Sequence, residues 1–84
     1  ATAAARVLTG KTFNAGQICI APDYVLLPET ARDAFVEHAR TFVARTFPTL
    51  HDNPDYTSIV SDRHYRRLIG LLDDARARGA SVVG

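Results

Sequence analysis

The one cysteine of the chain, Cys19, stands in the run Asn14-Ala15-Gly16-Gln17-Ile18-Cys19-Ile20-Ala21-Pro22-Asp23. A thiolate is a strong nucleophile, and backbone dipoles and nearby positive charge favour it over the thiol. Gly16 allows the backbone to turn closely just before the sulfur. Backbone N–H groups near Cys19 could point at a substrate oxygen, and the Gln17 carboxamide could add a further hydrogen bond there. These residues suit covalent attack on an electrophilic carbon. The competing reading is the ordinary one: a lone cysteine is most often a small buried hydrophobe with no chemistry of its own.

Other candidates are weaker on physical grounds. Gly10-Lys11-Thr12 mimics the tail of a phosphate-binding loop, but Ala5 stands where its first glycine belongs. The segment also reads as helix, whereas such a loop follows a strand so that its amides can cradle phosphate. His38, His51 and His64 show no metal-ligand spacing and are read as solvated. One of them paired with Cys19 would make a hydrolase dyad, but no local signature of a cysteine protease accompanies it. Asp73 and Asp74 are adjacent, so on a helix they point about 100° apart and do not form a carboxylate pair. The charged runs 63–67 and 73–78 read as solvated helix faces.

The elements that must position Cys19 follow from periodicity. Residues 2–14 read as a helix with Thr2 as N-cap and Ala3, Ala4, Val7 and Leu8 as its apolar stripe, weakened by Gly10. Residues 23–28 read as a strand, with the continuous apolar run Tyr24 to Leu27 between two prolines. Residues 31–47 read as a helix capped by Thr30, with Asp33 closing a shortened capping box and Pro48 ending it. Its apolar face carries Ala31, Ala34, Phe35, Ala39, Phe42, Val43 and Phe47. A loop with the turn Asp52-Asn53-Pro54-Asp55 spans 48–60. Residues 62–78 read as a third helix, capped by Ser61 and ended by Gly79 as C′ residue, with Tyr65, Leu68, Ile69, Leu72 and Ala75 as its buried stripe. Residues 80–84 read as the start of a strand.

The predicted fold class is therefore α/β in the order helix-strand-helix-helix-strand, a fragment of an open parallel-sheet domain. Two short strands do not make an independent sheet. Three amphipathic helices need more cover than this chain supplies. With no methionine in the sequence, the expectation is a piece of a longer protein.

Composition narrows the function classes. The chain has 84 residues, room for one domain at most, and is 46% hydrophobic and 23% charged with a net charge of +1. No basic stripe points to nucleic acid or to an anionic membrane. One cysteine allows no internal disulfide. No apolar run approaches the roughly 20 residues a membrane-spanning helix requires, and the start lacks the layout of a secretory signal.

The string Asn14-Ala15-Gly16-Gln17-Ile18-Cys19 resembles the N-x-G-Q-x-C motif of the aldehyde dehydrogenase superfamily. Ala21-Pro22-Asp23-Tyr24-Val25-Leu26 is similar to the A-P-D-Y-[VI]-L that follows it in the class 3 and coniferyl aldehyde dehydrogenase branch. Asn53-Pro54-Asp55-Tyr56 and Ile59-Val60-Ser61-Asp62-Arg63-His64-Tyr65 resemble the same branch, and Asp73-Asp74-Ala75-Arg76 looks most like the coniferyl group. Thr12 stands where the family usually has an aromatic or aliphatic residue, with Phe13 next to it.

The resemblance implies that residues 1–84 are part of an aldehyde dehydrogenase catalytic domain, with the cofactor-binding domain absent. Cys19 would be the catalytic nucleophile, forming a thiohemiacetal and then a thioester on the way from aldehyde to carboxylic acid, with NAD or NADP as hydride acceptor. The Cys19 N–H would hold the oxyanion together with an asparagine that lies upstream; Asn14 does not match it. The general-base glutamate also lies upstream, and a ribose-contacting glutamate lies downstream. The resemblance further implies an aldehyde substrate, a cytoplasmic location and a homo-oligomer, often a dimer, for the parent. The 84 residues alone are expected to be inactive. The alternative is a small α/β or helical interaction module with an inert, buried Cys19.

Overall fold

The computed structural model describes residues 2–49 and 56–84. His51 and the Asp52–Asp55 turn lie outside them. The chain forms three α-helices: α1 (Thr2–Thr12), α2 (Arg32–Thr46) and α3 (Asp62–Ala77). Short 3₁₀ turns, Phe13–Gly16 and Glu29–Ala31, follow α1 and precede α2.

Helices α1 and α2 pack on each other and hold what core there is. Ala4 is the buried centre of that contact, at 1% exposure. Around it Val7 and Leu8 of α1, and Phe35, Val36, Ala39, Phe42 and Val43 of α2, are half-buried. The α2 face read from the sequence is therefore essentially the one used, except that Ala34 is exposed and Val36 takes part. Burying small and medium apolar side chains at 3.6-residue spacing is what joins two helices of this length.

Helix α1 is shorter than the predicted 2–14. It ends at Thr12, and the backbone then turns left-handed at Asn14, Ala15 and Gly16, with φ of 50°, 55° and 77°. In its last turns Thr9 Oγ1 donates to the Ala5 carbonyl and Thr12 Oγ1 to that of Leu8, both at 2.7 Å. Such back-bonding competes with the helical ladder and suits a helix near its end. Gly10 has a packing reason: a Cβ there would stand 3.2 Å from Pro22 Cδ. The chain beyond Cys19 thus crosses closely over the C-terminal part of α1.

Helix α2 begins at Arg32, with Ala31 as N-cap and no side-chain cap. The expected Thr30–Asp33 capping box does not form, because Thr30 is taken into the 3₁₀ turn, where the Ala31 N–H bonds the Pro28 carbonyl at 2.9 Å. Helix α3 meets both of its predicted ends. Ser61 Oγ accepts from the His64 N–H at 3.3 Å. Gly79, at φ +92°, donates to the Arg76 carbonyl while Ala80 donates to that of Ala75. That pair of bonds is a Schellman motif, and it requires a left-handed C′ residue.

Neither expected strand forms among the described residues. A strand is defined by its ladder, and a ladder needs a neighbour. Residues 24–27 are in neither helix nor strand, but their exposure alternates as a pleat would have it: Tyr24 78%, Val25 40%, Leu26 87%, Leu27 38%. Among the described residues no backbone hydrogen bond reaches residues 24–27, and residues 80–84 make only the Ala80 bond that caps α3. Among the described residues the helix-strand-helix-helix-strand order is corrected to helix-helix-helix, with residues 22–28 and 80–84 outside any helix or strand.

The α3 stripe is uncovered as well. Tyr65, Leu68, Ile69 and Leu72 are exposed. Three ion pairs line the polar side of the helix, Asp62–Arg66 at 2.8 Å, Asp74–Arg78 at 3.0 Å and Asp73–Arg76 at 3.4 Å. Pairs this exposed contribute little to stability, about 0.3–0.5 kcal/mol each. No helix among the described residues is long and apolar enough to cross a membrane.

Candidate active site

Cys19 is exposed. It occupies the second position of a tight turn from Ile18 to Ala21, closed by the Ala21 N–H to the Ile18 carbonyl at 3.2 Å. The buried cysteine of the alternative reading is not what the chain presents. Among the described residues the Cys19 N–H and the Ile20 N–H have no internal acceptor, so these donors remain available to an incoming oxygen.

The turn before it is tied to itself. The Gln17 N–H bonds the Asn14 carbonyl at 3.1 Å, and Asn14 Nδ2 reaches back to the Gln17 carbonyl at 3.3 Å. Left-handed backbone at three successive residues disfavours the two that carry a Cβ, so the bonds across the turn must hold it. Asparagine tolerates this region better than most residues, which suits Asn14 to its place. At Gly16 the backbone also passes close to α1: a Cβ would lie 3.2 Å from the Lys11 carbonyl oxygen.

Gln17 does not offer its carboxamide to a substrate, contrary to the sequence-based expectation. Its Nε2 donates to the Asn14 carbonyl at 3.0 Å and to the Ser58 carbonyl at 3.1 Å, and its Oε1 accepts from the Val60 N–H at 2.8 Å. The side chain thereby joins the Cys19 loop to a segment some forty residues away (separations of 41 and 43). The same segment is anchored at its start by Tyr56, whose ring meets Phe47 edge-on with centroids 4.9 Å apart. No local pattern in the sequence signals either contact, since both join residues that only the folded chain brings together.

His38 and His64 stay away from this chemistry in the bonds they form. His64 serves the N-terminal turn of α3, and His38 faces an open hollow with Thr41, Phe42 and Arg45. No hydrogen bond from either reaches Cys19 among the described residues. No cluster of three or more metal-ligating side chains forms among them either. An open hollow of about 560 Å³ borders the loop, lined by Thr12, Phe13, Asn14, Ile18, Phe42 and Phe47. Gly10-Lys11-Thr12 closes α1 as helix rather than opening a loop, so its amides are not presented to phosphate.

Comparison with known proteins decides the family. A sequence profile of the aldehyde dehydrogenase family matches residues 1–84. The chain belongs to the aldehyde dehydrogenase family. It is 63% identical over 83 residues to a probable coniferyl aldehyde dehydrogenase of Caulobacter vibrioides, covering 99% of this chain and 17% of that protein. It is 60% identical over 83 residues to the coniferyl aldehyde dehydrogenase of a Pseudomonas species, with the same coverage. More distant is the dimeric NADP-preferring aldehyde dehydrogenase of Rattus norvegicus, 33% identical over 72 residues, 84% of this chain and 16% of that one. The chain thus spans under a fifth of the length of these relatives. No solved structure matches it significantly. The family is α/β, so this helical segment is a piece of an architecture whose sheet it does not itself build.

Proposed function

We propose that this chain is the nucleophile-bearing segment of an NAD(P)-dependent aldehyde dehydrogenase, and that Cys19 attacks the aldehyde. The observation that carries the reading is the exposed Cys19 on its tight turn, with its own N–H unused, in a chain of this family. The thiolate sulfur adds to the carbonyl carbon, and the oxygen takes up the negative charge of a thiohemiacetal anion. That oxygen accepts a hydrogen bond from the Cys19 N–H, a donor whose direction is fixed by the Ile18–Ala21 turn. Collapse of the anion expels the hydride and leaves a thioester on Cys19, which water hydrolyses to the acid and the free thiol. Covalent attachment replaces one difficult step by two easier ones. NAD(P)+ supplies the hydride acceptor and is held by parts of the protein outside this chain. The general base and the oxyanion asparagine lie there too.

The names of the relatives favour an aromatic aldehyde of the coniferyl type as substrate. The uncovered α3 stripe and the exposed apolar residues of 24–27 favour the remainder of the parent chain as their cover, completing the open parallel sheet. A cytoplasmic homodimer is the assembly we propose for the parent.

The test is the full-length protein with Cys19→Ser or Cys19→Ala. Aldehyde-dependent reduction of NAD(P)+ is lost in both, while the circular dichroism spectrum and thermal midpoint stay those of the parent. Turnover surviving in Cys19→Ala would end the proposal. The isolated 84 residues should not reduce NAD+ with benzaldehyde or hexanal, because a missing general base removes about 10²–10⁴ in rate and a missing oxyanion donor about 10²–10³.

A further inference from the structure

Gln17 lies two residues before Cys19 and makes three side-chain hydrogen bonds, at 3.0, 3.1 and 2.8 Å. The pattern of the two long-range bonds is specific. Ser58 presents its carbonyl and Val60 its N–H, the two backbone groups flanking Ile59. A residue in a parallel β-bridge takes up this same pair of groups with its own N–H and C=O. The Gln17 carboxamide does so with its side chain, so it serves as a one-residue strand for segment 58–60. The third bond, to the Asn14 carbonyl, ties the same amide into the left-handed turn. Both Nε2 hydrogens and one Oε1 lone pair are used. The network also fixes the amide orientation, since a flipped group would set N–H against N–H and oxygen against two carbonyls.

We infer that Gln17 is a positioning residue for the Cys19 chemistry. Its carboxamide clamps the Asn14–Cys19 loop to segment 58–60 and so holds the thiol and the Cys19 N–H in one place relative to the substrate carbonyl. This rests on the reading of Cys19 as nucleophile. The Gln17 amide is spent on backbone groups of Asn14, Ser58 and Val60, so it acts through the loop. Near-attack geometry is sensitive: a displacement of about 1 Å costs on the order of 10²-fold in rate.

The test uses the full-length protein and two variants. Gln17→Leu keeps the side-chain bulk and removes all three bonds. Gln17→Glu keeps the acceptor for Val60 but turns a carboxylate oxygen toward the carbonyls of Asn14 and Ser58. In Gln17→Leu, kcat falls about 10–100-fold, as the loss of two or three neutral hydrogen bonds predicts, with KM changed less than about threefold. The iodoacetamide labelling rate of Cys19 changes with it. In Gln17→Glu the deficit relative to the parent narrows as the assay is taken from about pH 8 to about pH 6, because facing carbonyls raise the pKa of the carboxyl and its protonation restores a donor. A merely structural role would not give that pH profile. Parental kcat and labelling rate in Gln17→Leu, with Cys19→Ala inactive, would overturn the inference and leave the nucleophile assignment standing. An active Cys19→Ala would instead remove the assignment itself. Failure of both Gln17 variants to fold would also overturn it, making Gln17 a residue of stability rather than of position.

Discussion

Gly16→Ala tests the geometry of the loop most directly. Gly16 has φ +77°, and a Cβ at that position would stand 3.2 Å from the Lys11 carbonyl oxygen, a backbone atom with little freedom to retreat. A left-handed conformation costs a residue with a Cβ about 1–2 kcal/mol. Stiffening the unfolded chain returns about 0.4–1 kcal/mol. The net expectation is a loss of about 1 kcal/mol from the dihedral alone, with the Lys11 contact adding to it. Ala15→Gly is the matched control. Ala15 already sits at φ +55°, so glycine there relieves about 1–2 kcal/mol of strain and introduces about 0.4–1 kcal/mol of chain entropy, and stability should rise by up to about 1 kcal/mol. In the full-length protein the thermal midpoint of Gly16→Ala should fall by roughly 2–4 °C per kcal/mol, while that of Ala15→Gly should not fall. The Cys19 alkylation rate should shift in Gly16→Ala, because the strained turn carries the thiol. A Gly16→Ala midpoint equal to or above the parent's would refute the left-handed turn and its close approach to α1.

The remaining expectations concern Cys19 and α3. Cys19→Ser abolishes turnover in the full-length protein without altering its fold, checked by paired activity and circular dichroism. In a synthetic peptide spanning α3 and its caps, Gly70→Ala should raise helicity by about 1 kcal/mol of helix propensity. Nothing lies within 4 Å of a Cβ at Gly70. In the same peptide Gly79→Ala should lower it by about 1 kcal/mol, since the Schellman cap needs φ +92° there. A Gly79→Ala peptide as helical as its parent would contradict the cap. Leu72→Asp should leave that peptide's helicity largely intact yet sharply reduce folded full-length protein. The cost there is at least the ~1.5–3 kcal/mol that burying a leucine contributes. Normal yield and midpoint for full-length Leu72→Asp would mean that the α3 stripe stays exposed in the parent.

Local signals in the sequence were read correctly where the physics is local. Ser61 before α3 and Gly79 after it cap that helix as their chemistry requires. The 3.6-residue spacing of Phe35, Ala39, Phe42 and Val43 marked the face that meets α1. Thr30 misled because a 3₁₀ turn satisfied the same backbone groups first. The strands expected at 23–28 and 80–84 do not form, since a ladder belongs to two segments and each of these has no neighbour among the described residues; only the alternating exposure of Tyr24–Leu27 keeps the period of a strand. The Asn14–Cys19 run, read as a string of residue types, pointed to the family before any geometry was known.

By itself the sequence determined the family and which helices form, because capping, periodicity and the Asn14–Cys19 string are set by neighbours along the chain. Only the tertiary structure decided what Gln17 does. Its amide reaches Ser58 and Val60 across separations of 41 and 43 residues, a pairing that exists only once α1, α2 and the segment before α3 are folded together. The exposure of Cys19 is likewise a property of the folded turn, since burial depends on what packs against a residue and not on its type.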